Sequence, residues 1–109
     1  MRVPERGDLI LLDFDPQTGH EQMKRRPALV LSHASFNATF GLAYVAPVTT
    51  KPKGHGFEIP LPPSLRIKGS VMLHQLKSLD WHARHARFAA KVPSSIVSAA
   101  IEVVKDIIG

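Results

Sequence analysis

The apolar residues of this chain come in short runs, each closed by a turn signal, and that spacing restricts the fold more than any other feature. Nine prolines and seven glycines are spread along 109 residues, and the glycines mostly flank apolar runs. Asp8-Leu9-Ile10-Leu11-Leu12-Asp13-Phe14 is the first run, and its near-continuous apolar character predicts a strand buried on both faces. Residues 15–26 read as a long polar loop, opened by Asp15-Pro16 and turned at Thr18-Gly19. Residues 28–32 form the second strand, with Pro27 at its entrance, where a missing N–H costs least. Residues 41–48 are the third strand, and 49–56 (TTKPKGHG) a loop. Residues 57–61 are a fourth strand, placed at an edge by Pro60. Residues 70–79 are a fifth, bent or bulged around His74-Gln75, and residues 87–91 add a sixth. One stretch has helical period: in residues 94–108, Val97, Ala100, Ile101, Val104, Ile107 and Ile108 make one apolar face. Ser94 or Ser95 can cap this helix, with Pro93 tolerated at its start. Ala99, Glu102, Lys105 and Asp106 should face outward. The pattern is that of one mainly-β, α+β domain over residues 1–109.

Composition narrows the function classes. Cysteine is absent, which excludes disulfide scaffolds, thiolate zinc sites and cysteine nucleophiles. A small protein without such staples fits a reducing cytoplasm best. No apolar run approaches the length of a membrane span, and residues 1–10 lack the apolar centre of a signal peptide. The formal net charge is +5 and the isoelectric point about 10.0. That balance favours an anionic partner such as nucleic acid or an acidic protein.

Most local motifs point to no chemistry. His82 and His85 are three apart, but no third metal ligand lies near them in the sequence and Arg84 stands between. Lys53-Gly54-His55-Gly56 lacks the frame of a phosphate loop. Ser32 and His33 are neighbours on a strand and point to opposite faces. The basic residues say more as a set. Lys24-Arg25-Arg26, Lys51 with Lys53, and Arg84 with Arg87 form three clusters, and Arg84 follows Trp81, a pairing suited to stacking on unpaired bases. Each cation alone is an ordinary solvated charge; three clusters converging on one groove would track a phosphate backbone.

Arg26 precedes the strand-opening proline, so its backbone is held and its guanidinium aimed. Thr49 ends the third strand, where its hydroxyl faces the same opening or bonds its own turn. If RNA is the substrate, its 2′-hydroxyl attacks the adjacent phosphorus and the 5′ oxygen leaves. That chemistry needs no metal when a cation and hydrogen-bond donors meet the developing charge. Arginine is well matched to phosphate oxygens and poorly matched to the role of base. Glu21 is the nearest candidate to take the 2′ proton, and His20 titrates in a useful range.

Four ordered motifs resemble one family, the MazF/PemK toxins. VPERGDLILLDFDPQTGHEQ is similar to the family's opening segment, RRPALVLS to its R-P strand, VAPVTTKPKG to its P-x-T-T loop, and HQLKSLDWHAR to its Q-x-K-S segment. The resemblance covers essentially the whole chain. It implies an SH3-like barrel of five to six strands with a C-terminal amphipathic helix, forming a homodimer that cleaves single-stranded RNA sequence-specifically without a metal or other cofactor. The implied products are a 2′,3′-cyclic phosphate and a 5′-hydroxyl, and the implied inhibitor is an acidic antitoxin lying in the RNA groove. By position, the family's catalytic residues fall on Arg26, Thr49 and Glu21. Lys24, Arg25, Thr50, Lys51, Lys53, Gln75, Lys77 and Arg84 are then expected along the RNA. The segment Gln22-Met23-Lys24-Arg25-Arg26 departs from the small residues and glycine usual there, and His20 stands where serine is common. Two alternatives share the expected barrel: a toxin that binds DNA gyrase without catalysis, which the absence of a terminal aromatic after Ile107-Ile108-Gly109 disfavours, and a non-catalytic RNA-binding barrel.

Overall fold

The computed structural model describes residues 2–14 and 25–109. Its elements are β1 (Asp8–Asp13), β2 (Arg25–Val30), α1 (Ala34–Phe40), β3 (Leu42–Thr49), β4 (Glu58–Pro60), β5 (Ser70–Met72), a 3₁₀ turn (Leu73–Gln75), β6 (Lys77–Asp80), β7 (Arg87–Lys91) and α2 (Ser94–Ile108). The mainly-β architecture with a C-terminal helix is as the sequence predicts. The sheet is open rather than closed, running β4-β5-β3-β2-β1-β7 with β6 also on β3. The paired strands are antiparallel.

The count of strands exceeds the expected five or six because the fifth is broken in two. Val48 pairs with Val71, and Val45 with Lys77. Three steps along β3 thus answer to six along its partner, and the three residues in excess match the length of the 3₁₀ turn at Leu73–Gln75. The bulge expected at His74-Gln75 is therefore present, and it re-aims Lys77 relative to β5.

Burial follows the period of two. Leu9, Leu29, Leu31, Ala46, Val48 and Val71 belong to one core cluster, which α2 covers through Ala100 with Ile96, Val97, Ile101 and Val104. Ile10, Leu12, Phe14, Ala28, Val30, Ala43, Val45, Leu79 and Trp81 form a second cluster. β1 feeds both, as its unbroken apolar run requires. On α2, Ala99, Glu102, Lys105 and Asp106 are exposed as expected. Ile107 and Ile108, expected on the apolar face, are exposed too. The N-cap is Pro93, without a side-chain cap bond, rather than either serine.

The short helix α1 has no counterpart in the sequence reading. It ends at Gly41, whose φ of 69° is left-handed and whose N–H bonds the Asn37 carbonyl. Asn37 is fully buried. Its Nδ2 donates to the carbonyls of Pro4 (2.8 Å) and Ser32 (3.2 Å), its Oδ1 accepts from Ser32 Oγ, and its carbonyl accepts from Trp81 Nε1. One residue, through its side-chain amide and its backbone carbonyl, thereby ties the N-terminal segment, the segment after β2 and the turn after β6 to α1.

Candidate functional site

Arg26 stands opposite Leu12 in the β1–β2 ladder. By alternation it shares a face with Ala28 and Val30, which line the second core cluster. Arg26 is half-buried, and its guanidinium carbon lies 5.7 Å from the centre of the buried Phe14 ring. Lys77 opposite Val45 brings a second cation to the same ring, with Nζ 5.1 Å from its centre. β2 and β3 pair as far as Ala28 with Pro47, and Thr49 ends β3 two residues beyond, on the same face as Pro47 and Val45 by alternation. Thus two cations share one ring where the second core face ends, and Thr49 closes the adjacent strand.

Thr49 is fixed from two sides. It pairs with Ser70 of β5, and its Oγ1 accepts the Lys51 N–H at 3.0 Å. The hydroxyl therefore bonds its own turn, as strand-end threonines do, and keeps its O–H free to donate elsewhere. Gly69 packs against it at φ +132, in space that a Cβ would share with the Thr49 carbonyl.

Arg25 has a different setting from Arg26. Its Nη1 donates to Asp13 Oδ1 at 3.0 Å, and its Nη2 to the carbonyls of Leu11 (2.9 Å) and His85 (2.5 Å). Asp13 Oδ2 lies 2.8 Å from His85 Nδ1. The His85 hydrogen bond, outweighing the opposing effect of burial and joined by Arg25, holds the Asp13 carboxyl below its ordinary range. His85 itself takes a left-handed φ of 58°. Arg84 completes the node by donating from Nη1 to the carbonyls of Asp13 and Phe14. Trp81 is buried with its indole N–H bonded to Asn37. The stacking platform expected from Trp81 and Arg84 is therefore not formed; both side chains are engaged in the scaffold.

The second loop carries the remaining cations. Thr50, Lys51, Lys53 and Gln75 are exposed. Glu58 organises the loop: its carboxylate accepts the N–H groups of Lys53 and Gly54 at 2.9 and 2.8 Å. Burial pushes this carboxyl upward, but those two donors with His55 and His74 more than offset it and leave it below its usual range. The His55 and His74 rings meet edge-on at 4.6 Å. Among the described residues no three His, Cys, Asp or Glu side chains converge as metal ligands. Glu21 and Lys24 lie outside the described residues.

Sequence reasoning passed over Asp13, Phe14 and Glu58. Asp13 carried a legible signal, because a carboxylate inside a buried strand requires a cation, and the Lys24-Arg25-Arg26 run is the nearest source. Phe14 and Glu58 read as ordinary strand residues, since their roles depend on contacts distant in the chain.

The family model described as PemK-like, MazF-like toxin of type II toxin-antitoxin system matches residues 5–108. The endoribonuclease toxin MazF of Escherichia coli K12 is 45% identical over 84 residues, covering 77% of this chain and 75% of that protein. The endoribonuclease toxin ChpB of the same strain is 39% identical over 102 residues, covering 89% and 87%. The crystal structure of MazE-MazF (Form-II) from Deinococcus radiodurans contains a chain that superposes with a TM-score of 0.94 at 41% identity, covering 100% of this chain and 98% of that one. This chain belongs to the PemK-like, MazF-like toxins of type II toxin–antitoxin systems.

Proposed function

We propose that this protein is an endoribonuclease toxin that cleaves single-stranded RNA by internal attack of a 2′-hydroxyl. One observation carries the reading: Arg26 and Lys77 each lie over the Phe14 ring, near the end of the sheet where β3 finishes at Thr49. In this reaction the 2′ oxygen bonds the phosphorus, the P–O5′ bond breaks, and the 5′ oxygen takes a proton. The products are a 2′,3′-cyclic phosphate and a 5′-hydroxyl. Negative charge builds on the non-bridging oxygens, and Arg26 meets it with a planar, always protonated donor. Lys77 adds a mobile second charge, and Thr49 has a hydroxyl proton to give a phosphate oxygen. Glu21 is the residue proposed to receive the 2′ proton.

Thr50, Lys51, Lys53, Gln75 and Lys24 are proposed to guide the RNA. The net charge of +5 suits both this substrate and an acidic antitoxin, and the MazE-MazF structures among its structural neighbours support such a partner. Assembly as a homodimer in the cytoplasm completes the proposal. The test is cleavage of defined RNA oligonucleotides with mapping of the cut sites and end groups. Arg26→Ala should abolish cleavage while the protein keeps its fold, and wild-type cleavage should persist in EDTA. A folded Arg26→Ala protein that still cuts at the wild-type rate would remove Arg26 from the mechanism.

A further inference from the structure

We infer that Arg25 is a positioning residue, a strut that sets the direction of Arg26, rather than a ligand for the RNA backbone. The inference rests on the catalytic reading of Arg26 given above. Arg25 and Arg26 are successive residues of one strand, so their side chains leave on opposite faces. Arg26 goes toward Phe14. Arg25 goes to Asp13, Leu11 and the turn at His85, with both terminal nitrogens committed. A fork bound to three acceptors is poorly placed to grip a phosphate as well, and the Asp13 carboxylate 3.0 Å away neutralises its charge.

The strut stands at the last pairs of the β1–β2 ladder, where Asp13 lies opposite Arg25. The Leu11 and His85 carbonyls both accept from Arg25 Nη2, so one side chain joins the start of β2 to β1 and to the turn before β7. The mount is itself braced. Asp13 uses its second oxygen on His85, and Arg84 clamps the carbonyls of Asp13 and Phe14. Phe14 is the ring over which Arg26 lies. The node therefore fixes both the strand that carries Arg26 and the surface on which it rests, and a shift of about 1 Å at a reacting group lowers rates about a hundredfold.

The experiment compares wild type with Arg25→Lys, Arg25→Gln, Asp13→Asn and the double variant Asp13→Asn/Arg25→Gln. It measures kcat on a cleavable RNA oligonucleotide, and Kd against salt on the same oligonucleotide with a 2′-deoxy residue at the cut site. A strut predicts that Arg25→Lys and Arg25→Gln each lower kcat about 10- to 100-fold, with Kd and its salt slope at wild-type values. Asp13→Asn, which removes no cation, should lower kcat similarly, and the double variant should be no worse than Arg25→Gln alone. A phosphate ligand predicts the reverse: Arg25→Lys near wild type, and a slope shallower by about 0.7 in Arg25→Gln. That result overturns the inference, as does a folded Asp13→Asn protein with wild-type kcat, which decides the matter should the Arg25 variants fail to fold. Cleavage retained in Arg26→Ala would instead count against the catalytic reading, and the salt slopes would still report whether Arg25 touches phosphate.

Discussion

Gly69→Ala offers a sharp test of whether Thr49 belongs to the reaction. A Cβ on Gly69 would lie 2.3 Å from the Thr49 carbonyl oxygen, 3.0 Å from its carbonyl carbon and 2.9 Å from Val48 Cγ1. Ordinary contact begins at 3.4 Å, so β3 and the Gly69 segment must part by about 1 Å. The obstruction is backbone, which cannot rotate away as a side-chain tip does. A displacement of about 1 Å at a group touching the scissile phosphate corresponds to about a hundredfold in rate. The left-handed φ of +132 adds strain of about 1–3 kcal/mol, a fall in Tm of roughly 4–20 °C. Rate and stability are separable by a matched control. Gly41 also has a positive φ, +69, but a Cβ there meets nothing within 4 Å. Gly41→Ala should therefore lose about 1–2 kcal/mol from the backbone alone and keep its activity. The assay is initial-rate cleavage of a fluorescent RNA oligonucleotide, run well below the Tm of each variant. Full activity in folded Gly69→Ala would falsify the placement of Thr49 at the reaction centre. Equal losses of activity in both variants would assign the effect to strain instead.

Three further outcomes follow from the geometry. Asn37→Ala removes three side-chain hydrogen bonds in a fully buried setting; thermal denaturation should show a loss of about 3 kcal/mol, roughly 12 °C or more in Tm, and a change below 3 °C would contradict the knot ascribed to it. Asp13 has a folded-state pKa below its ordinary 3.8, and Glu58 one below its ordinary 4.5. Each therefore stabilises the fold fully above its unfolded value and loses that contribution as pH falls through its folded value, so the acid limb of Tm against pH, from about pH 5 downward, should be shallower in Asp13→Asn and Glu58→Gln than in wild type. Lys77→Met keeps a long apolar stem but removes the charge over Phe14; the salt slope of RNA binding should fall in magnitude by about 0.7, and an unchanged slope would place Lys77 off the phosphate path.

Strand positions and burial were largely legible because the apolar period is simple and Pro60 marks an edge strand, but Pro27, expected at the entrance of the second strand, is its third residue, because pairing with β1 extends the strand back through Arg26 and Arg25. β1 shows this most clearly: its unbroken run of leucines and isoleucine required two covered faces, and it has them. The helix α1 escaped notice because seven residues give too short a window for periodicity. Its cues were Phe36 and Phe40 at helical spacing, with Gly41 to stop it. At the site, Arg26 could be singled out because Pro27 follows it. The separation of Arg25 from Arg26 could not be read, since nothing in three consecutive cations says which faces a carboxylate. That distinction arises only when β1 and β2 pair and set Asp13 opposite Arg25.

The same pairing has a consequence for divergence within the family. Asp13 and Arg25 bracket the segment that joins β1 to β2, and their pairing closes it at the base whatever that segment contains. Once the ends of a connection are clamped, doubling its length costs only about 0.6 kcal/mol of closure entropy. Residues 15–24 other than Glu21 can therefore change at little thermodynamic risk while the strand carrying Arg26 stays where it is. A protein built this way can vary the connection faster than the strand it leads into.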